Sequence, residues 1–347
     1  MIQSIKYFFL FLVLIVGINS CSTDFELTSD WKDITVVYTL LNSADTAHYV
    51  KINKAFLDED ANSLVQAQIP DSNFYQSLIV RMEEYNDAEQ LLSTFDLIKV
   101  DGNLEGLTKD DGIFPQTPNW LYKTKNILNA ARHYKLIITK SEGAQITAVA
   151  EIVDPINVVK PSALTPITMY PSGNQTYQVN WKATKDASFY SLNIKFYYKE
   201  YPTSNPDDSV TKFINWDVFN DYVPANNDAG TTLDYRFNTN EFYRILSTDL
   251  QVLPNYTRES KYFEFTFGAG GKELYTYYLV NKAKNGITSG QISPEYTNIS
   301  EGLGIFSSRT FNKISKIPLK VNTIDSIACN SITKDLNFLN SLGNPCQ

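Results

Sequence analysis

His48 and His133 are the only imidazoles in the chain, so a Ser-His-Asp hydrolase would have to use one of them as its base. Each lies in a run that predicts a β-strand, with His48 on the same face as Val50 and Ile52, and no Gly-x-Ser-x-Gly elbow accompanies either. Packing in a core or along a sheet edge accounts for both. Two separated histidines without a Cys-x-x-Cys pair also fall short of a zinc ligand set. Gly268-Ala-Gly-Gly-Lys272 suggests a phosphate cradle, but the leading glycine of that motif is missing and Glu273 stands where Ser or Thr should hold magnesium. A β-turn is predicted there.

Carboxylates offer two further chemistries. Asp101-Gly-Asn103-Leu-Glu105-Gly106 matches the first half of a calcium loop, yet the twelfth position is Gly112 and the flanks predict strands, which makes it an acidic turn. Asp58, Glu59, Asp60, Asp110, Asp111, Asp207 and Asp208 are numerous enough for a glycoside hydrolase. Such an acid and base must face each other across about 5 to 9.5 Å, and every cluster here falls in a predicted loop. No catalytic residue, metal ligand or cofactor is therefore assigned. Tyr197, Tyr198 and Trp216 could stack on sugar faces if exposed; their spacing favours core packing or edge-strand filling.

Cysteine chemistry is more informative. Lys6 precedes an apolar run from Tyr7 to Val16, then Gly17, Asn19 and Ser20 lead to Cys21. The run reaches only about half of the ~20 residues that span a bilayer, so residues 1–20 are expected to be a cleaved signal peptide. Ile18-Asn19-Ser20-Cys21 resembles a lipobox, which implies lipid on Cys21 and a short linker over 21–30; the alternative is ordinary secretion with a spare thiol. More than one acyl chain, at about 0.8 kcal/mol per buried methylene, makes a stable anchor. Cys329 and Cys346 then remain as an even pair in an oxidising compartment, where either a disulfide or two free thiols are open. A bridge would staple the tail 326–347, where Ile332, Leu336 and Leu339, a Gly343 stop and Pro345 predict a short helix.

The elements that must position these residues read as strands. Tyr and Phe are abundant, 22 and 20, and favour pleated surfaces. Period-two runs cover Ile34 to Leu41, His48 to Phe56 and Leu78 to Glu84, and Tyr134 to Ile138 turns at Ser141-Glu142-Gly143 into Ile146 to Val153. Asp154-Pro155 and Lys160-Pro161 mark a connector, so the first sandwich is placed at 31–158 and the second at 161–325. The formal charge is −8, with no Lys/Arg stripe, which excludes nucleic acid as a partner.

Tyr177-Gln-Val-Asn-Trp181, the Asp186-Ala-x-x-Tyr190 corner and the strand through Leu192, Ile194 and Phe196 resemble a fibronectin type III sandwich. About sixty residues separate them from the next clear strand, Tyr262 to Gly268, so 200–258 is expected to be an insertion; it contains a helix capped by Asn238 and Glu241, with Phe242, Ile245, Leu246 and Leu250 on one face. Leu274 to Val280, Glu295 to Ile299 and Lys316 to Val321 are expected to be the closing strands. The segment from Asn298 to Arg309, the Trp31-Lys-Asp-Ile-Thr-Val-Val-Tyr38 run, Tyr134-Lys-Leu-Ile-Ile138 and Cys21 together resemble a family of Bacteroidota outer-membrane lipoproteins with tandem immunoglobulin-like sandwiches. That resemblance implies an outer-membrane address facing the exterior, supported by Asp24 and Glu26. It also implies a non-enzymatic binding or accessory role, because some members are encoded beside TonB-dependent transporters; the expected ligands are a surface glycan or a protein. A scaffold or adhesin is the alternative, and a glycoside hydrolase the third.

Overall fold

The computed structural model describes residues 34–55, 65, 67–284 and 295–346; the expected signal peptide 1–20, Cys21 and the linker 21–30 lie outside the described residues. Seven strands build the first sandwich: β1 (Ile34–Leu41), β2 (His48–Ala55), β3 (Leu78–Tyr85), β4 (Leu91–Asp101), β5 (Trp120–Thr124), β6 (His133–Lys140) and β7 (Gln145–Glu151). Strict alternation decides which face goes in. Val37 and Leu41, Val50 and Ile52, Val80 and Met82, and Leu136 and Ile138 meet in one core. The strands pair in the order β1-β2-β5-β4-β3-β6-β7. Because inward residues from both ends share that core, the sheet folds over on itself, with β4 as the corner: it pairs with β3 up to Leu97 and with β5 from Ile98. Tyr134 is fully buried, and its hydroxyl accepts the Asn129 N–H at 2.8 Å, which fixes the chain entering β6.

The second unit repeats this plan with β8 (Val158–Lys160), β9 (Thr176–Lys182), β10 (Phe189–Pro202), β11 (Val210–Tyr222), β12 (Thr232–Asn238), β13 (Tyr256–Gly270) and β14 (Gly302–Pro318). Its layers are β12-β9-β8 and β11-β10-β13-β14, the order of the first unit with seven added to each strand number. The chain is thus mainly β, two tandem sandwiches with the second fibronectin III-like. Trp181 lies in its centre, with ring centroids 5.5 Å from Tyr190, 6.1 Å from Phe219 and 5.8 Å from Phe267. Tyr190 completes the corner read from the sequence, since its hydroxyl accepts the Thr184 N–H at 2.9 Å and donates to Asn227 Oδ1 at 2.8 Å.

The expected boundary near residue 160 does not separate the two cores. From Arg309 onward β14 pairs antiparallel with β13, but from Gly302 to Ser308 it runs parallel to β1, and Ile299 and Phe306 are buried in the first core. Residues assigned to the 161–325 sandwich therefore finish the 31–158 one. Gly304 has φ +106°, and a Cβ there would stand 2.0 Å from the Val37 carbonyl oxygen; one at Gly302 would stand 2.7 Å from that of Thr35. Only bare backbone lets β14 approach this closely. Asn298 extends the pairing with its side chain, donating to Phe306 O at 2.7 Å and accepting the Phe306 N–H at 3.0 Å. Ser308 Oγ ties in β7's end by donating to Glu151 O at 2.6 Å and accepting the Val153 N–H at 3.0 Å.

Helices α1 (Pro70–Asn73), α2 (Asn240–Asp249), α3 (Lys272–Lys284) and α4 (Val321–Cys329) complete the frame. α2 is the helix expected from Phe242, Leu246 and Leu250, all buried, and Phe242 meets Phe196 edge-on at 5.1 Å. The 200–258 insertion is otherwise filled by the end of β10 and by β11 and β12. Its strand pattern was hidden by register shifts at Leu192, which break the alternation near Val218 and Phe219. The expected strand Leu274 to Val280 is instead α3. Tyr275 and Tyr278 both face Phe189, and Tyr278 and Lys282 both reach Asp221, contacts that only spacings of three and four can make together. Glu295 to Asn298 form no strand.

The tail departs from a helix over 326–347. α4 begins earlier, at Val321, and Leu336 and Phe338 are buried by alternation, with Asn337 in the left-handed region between them. Arg258, 2 % exposed, holds this segment: its guanidinium donates to Glu200 Oε2 at 2.8 Å, Leu336 O at 2.8 Å and Gln251 O at 3.0 Å. Cys329 and Cys346 are joined by a disulfide, with their Cα atoms 5.2 Å apart.

Candidate functional site

The residues singled out for catalysis hold the fold. His48 is buried, which lowers its pKa against the opposing charge of Asp45, and His133 is buried with its ring stacked on Tyr85 at 5.5 Å. Asp101 Oδ1 accepts the N–H groups of Asn103 and Asn119 at 3.0 and 3.1 Å, while Glu105 pairs with Lys123 and accepts from the Tyr49 hydroxyl. These carboxylates fasten a loop. Asp58, Glu59 and Asp60 lie outside the described residues, and Asp110-Asp111 and Asp207-Asp208 sit in separate connections. Among the described residues, no group of three or more His, Cys, Asp or Glu is arranged to hold a metal ion. Gly268 and Gly270 belong to β13 and not to a β-turn, because a Cβ on either would strike Ser191 or Phe189. Tyr198 and Trp216 are core residues, and Tyr197 stands between Phe213 at 5.5 Å and Tyr262 at 4.7 Å, so both of its faces are occupied.

A concave site forms elsewhere, on the outer face of the first sandwich. The connection from β4 to β5 does not take a short path. Gly102 N–H donates to Asn119 O at 2.7 Å and Asn119 Nδ2 to Leu107 O at 2.8 Å, which closes the loop at its base. Asn103 Nδ2 to Gln116 O at 3.0 Å and Gln116 Nε2 to Asp110 O at 2.9 Å stiffen its middle, and the Lys109 ammonium binds Pro115 O. The loop carries Ile113 and Phe114 at its tip. On the opposite side α1 is fixed by buried Asn73, whose Nδ2 donates to Ala67 O and Ile69 O, both at 2.8 Å, while its carbonyl accepts from Asn53 Nδ2 at 3.3 Å.

Between these walls and the sheet is a cavity of about 460 Å³, floored by Val36 and Tyr38 of β1 and by Lys51, Asn53, Lys54 and Ala55 of β2, with Ile113, Phe114, Ala67 and Asn73 as walls. Its lining is mostly apolar and, among the described residues, contains no carboxylate. Lys51 has no hydrogen-bond or ion-pair partner among the described residues; burial lowers its pKa and the charge of Lys109 lowers it further. Burial also lowers that of Lys109, with Asp101 opposing. Tyr38 is pushed up to about 12 by burial and by its hydrogen bond to Tyr277. A second cavity, of about 430 Å³, lies where the two units meet, but it is polar and already holds Glu151, Asp186, Lys272 and Glu273.

No protein-family model matches the chain, and no curated protein matches it. Among solved structures, the fibronectin(III)-like modules of Clostridium thermocellum CbhA are 10 % identical, with a TM-score of 0.19 over 69 % of this chain and 86 % of that one. Trypsin-activated alpha-2-macroglobulin from Escherichia coli is 9 % identical, with a TM-score of 0.16 over 69 % of this chain and 14 % of that one.

Proposed function

We propose that the protein is a non-catalytic binding component of a bacterial outer membrane, anchored by lipid on Cys21 and facing the exterior, and that it holds a small apolar ligand in the cavity of its first sandwich. The observation that carries this reading is the cavity itself. Its size falls in the range of ligand pockets, and it combines apolar walls with a few convergent polar groups, as such pockets do. The lipobox-like sequence before Cys21 supports the anchor. The resemblance to Bacteroidota lipoproteins supports a place beside an outer-membrane transporter, to which a captured nutrient would pass.

Equilibrium titration with the neutral dye Nile red tests the reading, using the chain from Ser22 onward. Saturable one-to-one binding is expected, and Val36→Trp, which fills the floor from a strand position, should abolish it while leaving the unfolding curve in place. Dye binding that survives Val36→Trp, or no saturable binding at all, overturns the proposal.

A further inference from the structure

An apolar cavity with one unpaired ammonium in its floor selects for charge as well as shape. Lys51 lies on β2 directly across from Tyr38 of β1, so its ammonium shares the floor with a phenol ring and with Val36. The other nearby ammonium groups are engaged elsewhere: Lys54, which also lines the cavity, lies over the Tyr75 ring, 5.8 Å from its centroid, and Lys109 is bound to Pro115 O and lies over the Phe74 ring, 5.8 Å from its centroid. Among the described residues, no Asp or Glu lines the cavity. Elsewhere on the same sheet Lys123 has Glu105, and Lys99 donates to Tyr75 O at 3.0 Å. Lys51 is a cation turned into apolar space with no counter-charge among the described residues.

We infer that the cavity takes an anionic amphiphile, an apolar chain or ring bearing a single carboxylate, with the carboxylate against Lys51 and the apolar body against Ile113, Phe114 and Val36. One lysine acts as a point charge, without the planar fork of an arginine or a nest of backbone N–H groups, which suits a monoanion better than a phosphate or sulfate. The inference rests on the binding role proposed above and names its ligand class.

Displacement of Nile red by three ten-carbon probes, decanoate, decanol and decylammonium, tests it on the chain from Ser22 onward. Decanoate should displace the dye best and decylammonium worst. Lys51→Met keeps the apolar stem while removing the charge, and should weaken decanoate about tenfold or more with decanol unchanged. Lys51→Glu should reverse the order of the two charged probes. If decanol matches decanoate and Lys51→Met moves neither, the charge selection is wrong while the cavity remains a binding site. If no probe displaces the dye and the dye itself fails to bind, the binding role falls with it.

Discussion

Substituting alanine at Gly304 should separate the two sandwiches. The new Cβ would sit 2.0 Å from the Val37 carbonyl oxygen and 3.0 Å from its nitrogen, and the obstacle is backbone, which cannot swing aside as a side chain can. The φ of +106° adds strain that an L-residue carries at about 1–2 kcal/mol, and forced overpacking adds about 1–3 kcal/mol. A loss of about 2–5 kcal/mol is expected, concentrated where β14 leaves β1. Two other glycines calibrate it. Gly302→Ala meets the Thr35 carbonyl at 2.7 Å without a positive φ, and should cost about 1–3 kcal/mol. Gly143→Ala has φ +87° with open space around it, and should cost about 1 kcal/mol. Urea unfolding followed by tryptophan fluorescence and by circular dichroism reads all three, with Trp120 in the first unit and Trp181 and Trp216 in the second. Gly304→Ala should be the least stable and should split the transition, the first sandwich melting earlier. A Gly304→Ala variant as stable as Gly143→Ala, with its transition unsplit, would refute the view that this parallel pairing unites the molecule.

Arg258→Met should cost about 2–4 kcal/mol, because it frees the carbonyls of Leu336 and Gln251 and leaves Glu200, 6 % exposed, with Lys212 as its remaining partner; faster amide exchange over 330–346 is the expected companion, and unchanged exchange there would count against the clamp. Removing the disulfide by Cys329→Ser with Cys346→Ser should cost about 3 kcal/mol for a loop of this length, measured as a fall in the urea midpoint; an unchanged midpoint would show that Arg258 and Phe338 suffice. Alkaline titration should single out the phenols whose pKa is raised. Tyr38, Tyr122, Tyr134 and Tyr177 are pushed up to about 12, chiefly by burial, while a free tyrosine titrates near 10. The unfolded chain therefore loses these protons first, so their contribution is complete below about pH 10 and disappears as the pH climbs through the folded values. Tyrosinate absorbance and loss of circular dichroism should rise together, and ionisation of every tyrosine with the dichroism intact would contradict this.

Strands with clean alternation were legible in the sequence because each buries a single face. Ile34 to Leu41 and the hairpin around Gly143 stand where their patterns put them. β11 was not legible, since a bulge interrupts its period, and α3 was misjudged because tyrosine and valine favour strands until tertiary contacts to Phe189 and Asp221 decide otherwise. The segment from Asn298 to Arg309 stood out by its glycines, but their purpose depends on β1, where Thr35 and Val37 lie 267 residues before Gly302 and Gly304. The candidate site was the least visible. Lys51 reads as an ordinary outward lysine, and Ile113 and Phe114 as loop residues. The one available signal was Val36 and Tyr38, apolar and aromatic on a face that open water would have left polar.

Native mass spectrometry of the protein released from its own cell envelope tests the binding role most directly. A chain beginning at an acylated Cys21 and carrying one small anionic adduct is expected, with Val36→Trp equally acylated but free of the adduct. The same adduct on both proteins, or none on either, would contradict it.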